Sequence, residues 1–158
     1  MTEVVVAGAA IVRDFHIFVA KRSRPQSVSG YWELPGDEVG ASEEEASALQ
    51  REFTHEFGIS LHTVDRILSD RRLQNWQSEG SDGADGATLR VWRCQIPSEV
   101  YFDPALGEPR PNMYSYDESR WLHIDDLDGV SPWRDADRMM AGEIADYYRG
   151  DTTWQSAD

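Results

Sequence analysis

The chain has 158 residues, with 15 Lys plus Arg against 29 Asp plus Glu, for a formal net charge of −14. That length fits one domain with a real core, and so acidic a surface repels nucleic acid polymers and excludes a general DNA or RNA binder. The single Cys94 excludes an intrachain disulfide and a cysteine zinc cluster, which points to a reduced, cytoplasmic setting.

Residues 4–12, VVVAGAAIV, are apolar for nine positions. Glu3 precedes them where a secretory signal needs basic residues, and the run is too short to span a bilayer, so no membrane association is expected. The run predicts a buried central strand, with Gly8 permitting close approach of a neighbour. Arg13-Asp14 reads as a turn and Phe15 to Ala20 as the returning strand. His16, without companions at ligand spacing, reads as a strand-edge residue. Lys21, Arg22 and Arg24 form the basic cluster of the front half, either a solubilising turn or a phosphate-facing one.

Trp32-Glu33-Leu34-Pro35-Gly36 reads as a strand and turn delivered into a helix over about Glu43 to Phe57. Ser42 and Glu45 have capping-box spacing, and Gly58 stands where a left-handed C-cap belongs. Ala46, Leu49, Phe53 and Phe57 recur at spacings of three and four, a single apolar stripe. Glu52 and Glu56 stack four apart on another face, with His55 beside them. Two readings compete for that acidic pair: a solvated helix face, or oxygen ligands for a hard divalent cation.

Leu61 to Leu73 reads as one long strand. Gln74 to Thr88 is Gly, Ser and Asp-rich and reads as a flexible hairpin tip or as a disordered segment, and Thr88 to Ile96 alternates as a strand containing Cys94 as a packed small residue. Pro97 to Asn112 holds four of the seven prolines and reads as a connector. Met113 to Leu122 reads as a loop into a short strand over Arg120 to Ile124. Asp125-Asp126-Leu127 starts a helical turn, and Val130 to Arg138 leads into a last helix reaching about Tyr148, with Met140, Ile144 and Tyr147 or Tyr148 inward. Trp133 suits stacking on a base or capping the core. Residues 1–150 are read as a single domain and 151–158 as a C-terminal tail.

Residues 31–59 resemble the Nudix box, Gly-x5-Glu-x7-Arg-Glu-apolar-x-Glu-Glu-x-Gly-apolar. Glu43, Arg51, Glu52, Phe53, Glu56, Gly58 and Ile59 occupy that register, and the Trp32 to Gly36 lead-in is similar to the MutT type. The departures are Asp37 for the first glycine, Gly40 for a glutamate, Ser42 for a glycine, and His55 for the first of the paired glutamates. Asp tolerates left-handed backbone, so a turn at Asp37 is expected to survive.

The resemblance implies an α/β/α sandwich, the Nudix fold, with a mixed central sheet. It implies hydrolysis of a nucleoside triphosphate to a monophosphate and pyrophosphate, with oxidised purine or cytidine nucleotides as candidates. Glu52, Glu56, His55 and the Gly36 carbonyl are then expected to hold Mg²⁺, or Mn²⁺ because of the imidazole. Glu56, Glu52, Arg51 and Glu43 are the implied catalytic set, and Arg22, Arg24, Glu33, Asp137 and Trp133 the implied substrate contacts. Asp137 matches a base-reading residue at the start of the last helix, where plain complementation of the helix dipole is the competing account. The family's added glutamate or histidine falls on Tyr116 or Ser115, with Asp117 and Glu118 nearby but out of register. The expected partner is a small nucleotide, for a monomer or homodimer; the alternative is a degenerate domain that binds a nucleotide or protein without catalysis.

Overall fold

The computed structural model describes residues 4–67, 70–73, 86–100 and 108–150. The apolar run forms strand β1 (Val5–Arg13), followed by β2 (His16–Arg22), β3 (Trp32–Glu33) and β4 (Gly36–Glu38). Helix α1 (Glu45–Phe57) leads to β5 (His62–Arg66), β6 (Arg71–Leu73), β7 (Ala87–Gln95), β8 (Tyr116–His123) and helix α2 (Asp135–Arg149).

One edge of β1 pairs in parallel with β7 from Val5 to Ile11. The other edge is shared: Val12 and Arg13 pair with β2, while Val6 to Gly8 pair with β4, both antiparallel. β2 then diverges from β1 to pair with β8 and β3. The β3–β4 turn fills the fork between them, where Ala9 N donates to Pro35 O at 2.9 Å. This is the mixed sheet implied by the resemblance.

Alternation along β1 builds two cores. Val6 and Ala10, with Ile17 and Val19 of β2, face Met140, Ala141 and Ile144 of α2. Ala7, Ala9 and Ile11, with Phe18 and Ala20, face Leu49, Phe53 and Phe57 of α1. Burying an aromatic such as Phe53 (0% exposed) is worth roughly 2–3 kcal/mol. The small residues of β1 let both helices sit close, and a Cβ on Gly8 would lie 3.2 Å from Leu89 Cδ1.

Gly58 does end α1, with φ 68°. Its N–H donates to Thr54 O (3.1 Å) and that of Ile59 to Phe53 O (3.4 Å). The start of α1 differs from the sequence reading. The N-cap position is Glu44, without a side-chain cap, because Glu45 is drawn to Arg90 Nη1 (2.9 Å) and Trp92 Nε1 (3.0 Å) on β7. Ala46 is half-buried and Ala48 is packed instead.

Leu61 to Leu73 forms two strands rather than one, β5 and β6 laid in succession along β7, with a bulge between Thr63 and Asp65. β8 begins four residues before the strand read from Arg120, because its charged face pairs outward with Lys21 while Tyr116, Ser119 and Trp121 point inward. Nor does Asp37 adopt a left-handed conformation: it is a residue of β4, opposite Ala7, and the non-glycine positive φ values among the described residues are those of Asp14, Phe15 and Met113. His16 opens β2, its ring edge-on to His123 at 5.2 Å. Met140 and Ile144 are buried and Tyr148 packs against the same core, as the last helix's spacing predicts. Most of the Gly/Ser/Asp-rich segment and the 151–158 tail lie outside the described residues.

Candidate active site

Helix α1 carries Glu52 and Glu56 inward, at 3% and 1% exposure, so the solvated-face reading does not hold. Ser115 N donates to Glu56 Oε2 at 3.2 Å. Glu52 Oε1 and Glu56 Oε1 are buried and have no hydrogen-bond partner. Burial drives the Glu52 pKa up to about 9, the Asp37 charge adds to it, Arg22 opposes and Glu56 adds again. The nearby cation therefore fails to offset desolvation and two like charges.

Arg51 binds the flank of this acidic group. Its guanidinium donates to Glu43 Oε2 (2.9 Å) and Oε1 (3.1 Å), to Asp37 Oδ2 (3.2 Å) and to Glu38 O (3.1 Å). Glu43 also accepts from Gly40 N at 3.0 Å. The Arg51 bond, then the Gly40 one, hold the Glu43 carboxyl below its usual range.

These groups line a cleft of about 550 Å³, a size suited to a nucleotide. Arg22, Arg24, Asp37, Arg51, Glu52, His55, Glu56, Tyr114 and Ser115 form its wall. His55 is exposed, edge-on to the Tyr114 ring at 5.1 Å, with Nδ1 3.9 Å from Glu56 Oε1. The Arg24 guanidinium lies 5.2 Å from the centre of the same ring.

Behind the cleft runs a second buried network. Arg22 donates to Glu33 Oε1 (3.0 Å) and to the Gly36 carbonyl (2.7 Å). Arg134 Nη2 donates to Glu33 Oε1 at 2.7 Å. The Tyr116 hydroxyl accepts from Gly36 N and lies 3.0 Å from both Glu33 Oε2 and Gly36 O. Burial keeps that hydroxyl protonated by raising its pKa well above the usual value. The Gly36 carbonyl thus faces Arg22 and Tyr116 rather than the Glu52–Glu56 pair. Asp137 accepts from Leu34 N at 2.9 Å, and burial raises its pKa to about 7 against the opposing charge of Arg134.

The structure thus brings Arg22, Arg24, Glu43, Arg51, Glu52, His55 and Glu56 to one cleft or its rim. Glu33, Asp137 and Trp133 stand in the layer behind it. Trp133 is 9% exposed and donates from Nε1 to Leu127 O at 2.7 Å, so it closes the core while edging a smaller cavity of about 270 Å³. Asp117 and Glu118 pair with Lys21, and Glu118 also with Arg120, away from the acidic pair. Cys94 is buried, and burial raises its thiol pKa, in line with packing. Sequence reasoning missed Arg134 and underrated Tyr114 and Tyr116, and it read Asp37 only as a turn residue; the contacts of Arg134 and Tyr116 with Glu33 span 101 and 83 residues of chain, which no local spacing marks.

A hard divalent cation suits the chemistry of this cleft: oxygen donors, two of them buried and without partners. Among the described residues no three His, Cys, Asp or Glu side chains already meet in ligand geometry, so binding requires a side-chain adjustment. No helix among those residues is long and apolar enough to cross a membrane.

The NUDIX domain family model matches residues 2–141. A Mycobacterium tuberculosis protein named "Putative 8-oxo-dGTP diphosphatase 2" is 36% identical over 145 residues, covering 92% of this chain and 89% of that protein. A Proteus vulgaris 8-oxo-dGTP diphosphatase is 31% identical over 75 residues, 44% of this chain and 67% of its own length. In structure, a MutT Nudix hydrolase from Burkholderia pseudomallei aligns with TM-score 0.66 and 25% identity, covering 91% of this chain and 99% of that one. The MutT protein of Methanosarcina mazei shares the fold, with TM-score 0.65, 18% identity and coverage of 93% and 95%. With its acidic helix, its box register and its sheet all in place, this chain belongs to the Nudix family and is a MutT-like Nudix hydrolase, a pyrophosphohydrolase.

Proposed function

We propose that the chain hydrolyses a nucleoside triphosphate to its monophosphate and pyrophosphate in the cleft between α1 and β4. Oxidised purine nucleotides are the first candidates, on the names of the relatives, and cytidine nucleotides the second. The observation that carries this reading is the pair of buried carboxylates whose Oε1 atoms lack partners, beside three arginines. Ionising two such buried carboxyls together is costly unless something compensates their charge.

Nudix hydrolases generally use divalent metals. Glu52 and Glu56 would hold the cation, with His55 at its margin; a rotation of Arg22 would be needed before the Gly36 carbonyl joined them. When bound, such an ion neutralises phosphate charge and lowers the pKa of a water. Mg²⁺ and Mn²⁺ both suit the oxygen donors, and the imidazole favours Mn²⁺.

The remaining work belongs to the side chains. Glu56, anchored through Oε2 on the Ser115 amide, presents Oε1 to take the proton of the attacking water. Arg51 fixes Glu43, just ahead of α1, and Asp37 of β4. Arg24 at the mouth and Arg22 at the floor draw in the phosphates against the chain's net charge of −14. Glu33, Asp137 and Trp133 act from behind: Glu33 holds Arg22, and Asp137 holds the Leu34 amide.

The test is a panel including 8-oxo-dGTP and cytidine triphosphates, assayed with Mg²⁺ or Mn²⁺ for pyrophosphate against orthophosphate. Pyrophosphate release is expected. Glu56→Gln should lower kcat by about 10²-fold or more, the usual worth of a general base, and leave the fold intact. Tight nucleotide binding without turnover under either metal would favour the binding-only domain instead.

A further inference from the structure

We propose that Asp37 supplies a third carboxylate to the cation site, facing Glu52 and Glu56 from β4. The inference rests on the cation-dependent reading of the cleft. Asp37 pairs with Ala7, and directly opposed residues of an antiparallel pair share a face. Ala7 belongs to the core packed by Leu49 and Phe53 of α1, so Asp37 emerges on the α1 side.

The register is locked one residue earlier. A Cβ on Gly36 would sit 1.9 Å from Ala7 O, so glycine is required at 36 and the side chain at 37 is committed to the α1 face. A slip of one residue would send it to the other face. On the α1 face Asp37 lines the same cleft as Glu52 and Glu56.

Asp37 retains coordinating capacity there. Glu38 N donates to Oδ1 at 2.8 Å and Arg51 to Oδ2 at 3.2 Å, which engages two of about four lone-pair sites. The second, independent sign of a ligand is the burial of Glu52 Oε1 and Glu56 Oε1 without partners in the same cleft. A third acid beside these two adds to their mutual repulsion, which a shared cation would relieve. An exposed imidazole, at 58% side-chain exposure and 3.9 Å from Glu56, offers a weaker third donor than this carboxylate. Closing the site needs Asp37 to turn from Arg51, which keeps its bonds to Glu43.

The competing account is that Asp37 only anchors Arg51, and one titration separates the two. The full chain, free of nucleotide, is titrated with Mn²⁺ while the paramagnetic resonance signal of free Mn²⁺ is followed. Asp37→Asn is expected to weaken binding about tenfold or more, while Arg51→Ala leaves it unchanged or tighter, because it releases Oδ2 and removes a positive charge. Asp37→Gly is the second variant should Asn fail to fold, and both are checked by thermal melting. Equal binding by wild type and the Asp37 variants overturns the inference. So does equal weakening by Asp37→Asn and Arg51→Ala. If the wild type itself binds no Mn²⁺ at millimolar concentration, the cation reading falls first and this inference with it.

Discussion

Glu52→Gln should make the metal-free protein more stable at alkaline pH while destroying its response to metal. Glu52 is 3% exposed, and its pKa stands at about 9, raised first by burial and then by Asp37. The unfolded chain releases the same proton near 4.5. Between those values the folded state holds a proton that the unfolded state has lost. The stability this gives is therefore complete below pH 4.5 and is lost as pH rises through 9. At pH 7.5 the three-unit gap amounts to a ceiling of about 4 kcal/mol at 1.36 kcal/mol per unit. Relaxation around a buried charge reduces this, and about 2 kcal/mol is a working figure. Glutamine stays neutral throughout and can donate to Asp37. In a chain of this size each kcal/mol moves Tm by about 2–4 °C, so the variant should melt about 4–8 °C higher at pH 8 and within about 2 °C of wild type at pH 5. Calorimetry in chelator at both pH values measures this. Added Mn²⁺ should then raise the wild-type Tm by mass action and leave the variant's almost unmoved. A shift of equal size at both pH values, or a drop at pH 8, would refute the reasoning.

Three further outcomes follow from the same geometry. Gly36→Ala should cost more than about 4 kcal/mol, or prevent folding, because the added Cβ meets the Ala7 carbonyl 1.9 Å away; soluble yield and urea midpoint report it. Asp137, with its pKa raised by burial to about 7, confers stability that is complete below 3.8 and is lost as pH rises through 7. Asp137→Asn should therefore flatten the urea midpoint between pH 4 and 7, and an unchanged slope would remove Asp137 as its source. His55→Glu should shift the ratio of turnover from Mn²⁺ toward Mg²⁺, and an unaltered ratio would show that the imidazole makes no contact with the ion.

The local signals in this chain were read well because local physics decides them. An apolar nine-residue run became β1, Leu49, Phe53 and Phe57 packed on one face, and Gly58 closed α1 in a left-handed turn. The capping box failed for a non-local reason: Arg90 and Trp92, more than forty residues away, offer Glu45 a charge-assisted partner that the helix start cannot match. Residues 116–119, ahead of the strand expected from Arg120, read as loop because their outer charges pair across strands, a relation invisible in one strand's own sequence.

The acidic pair shows the limit most clearly. Composition favours exposure for Glu52 and Glu56, yet both are buried and each keeps an unpartnered oxygen. Phe53 and Phe57, their neighbours along α1, explain how this is held: the aromatic side chains pull the helix face onto the sheet and take the acids with them. The gain of roughly 2–3 kcal/mol per buried aromatic is large enough to offset a carboxylate pushed several pKa units from its solution value. A helix selected for stability alone would replace those acids. Their retention at a cost, in a cleft of nucleotide size, points to the ligand charge they await.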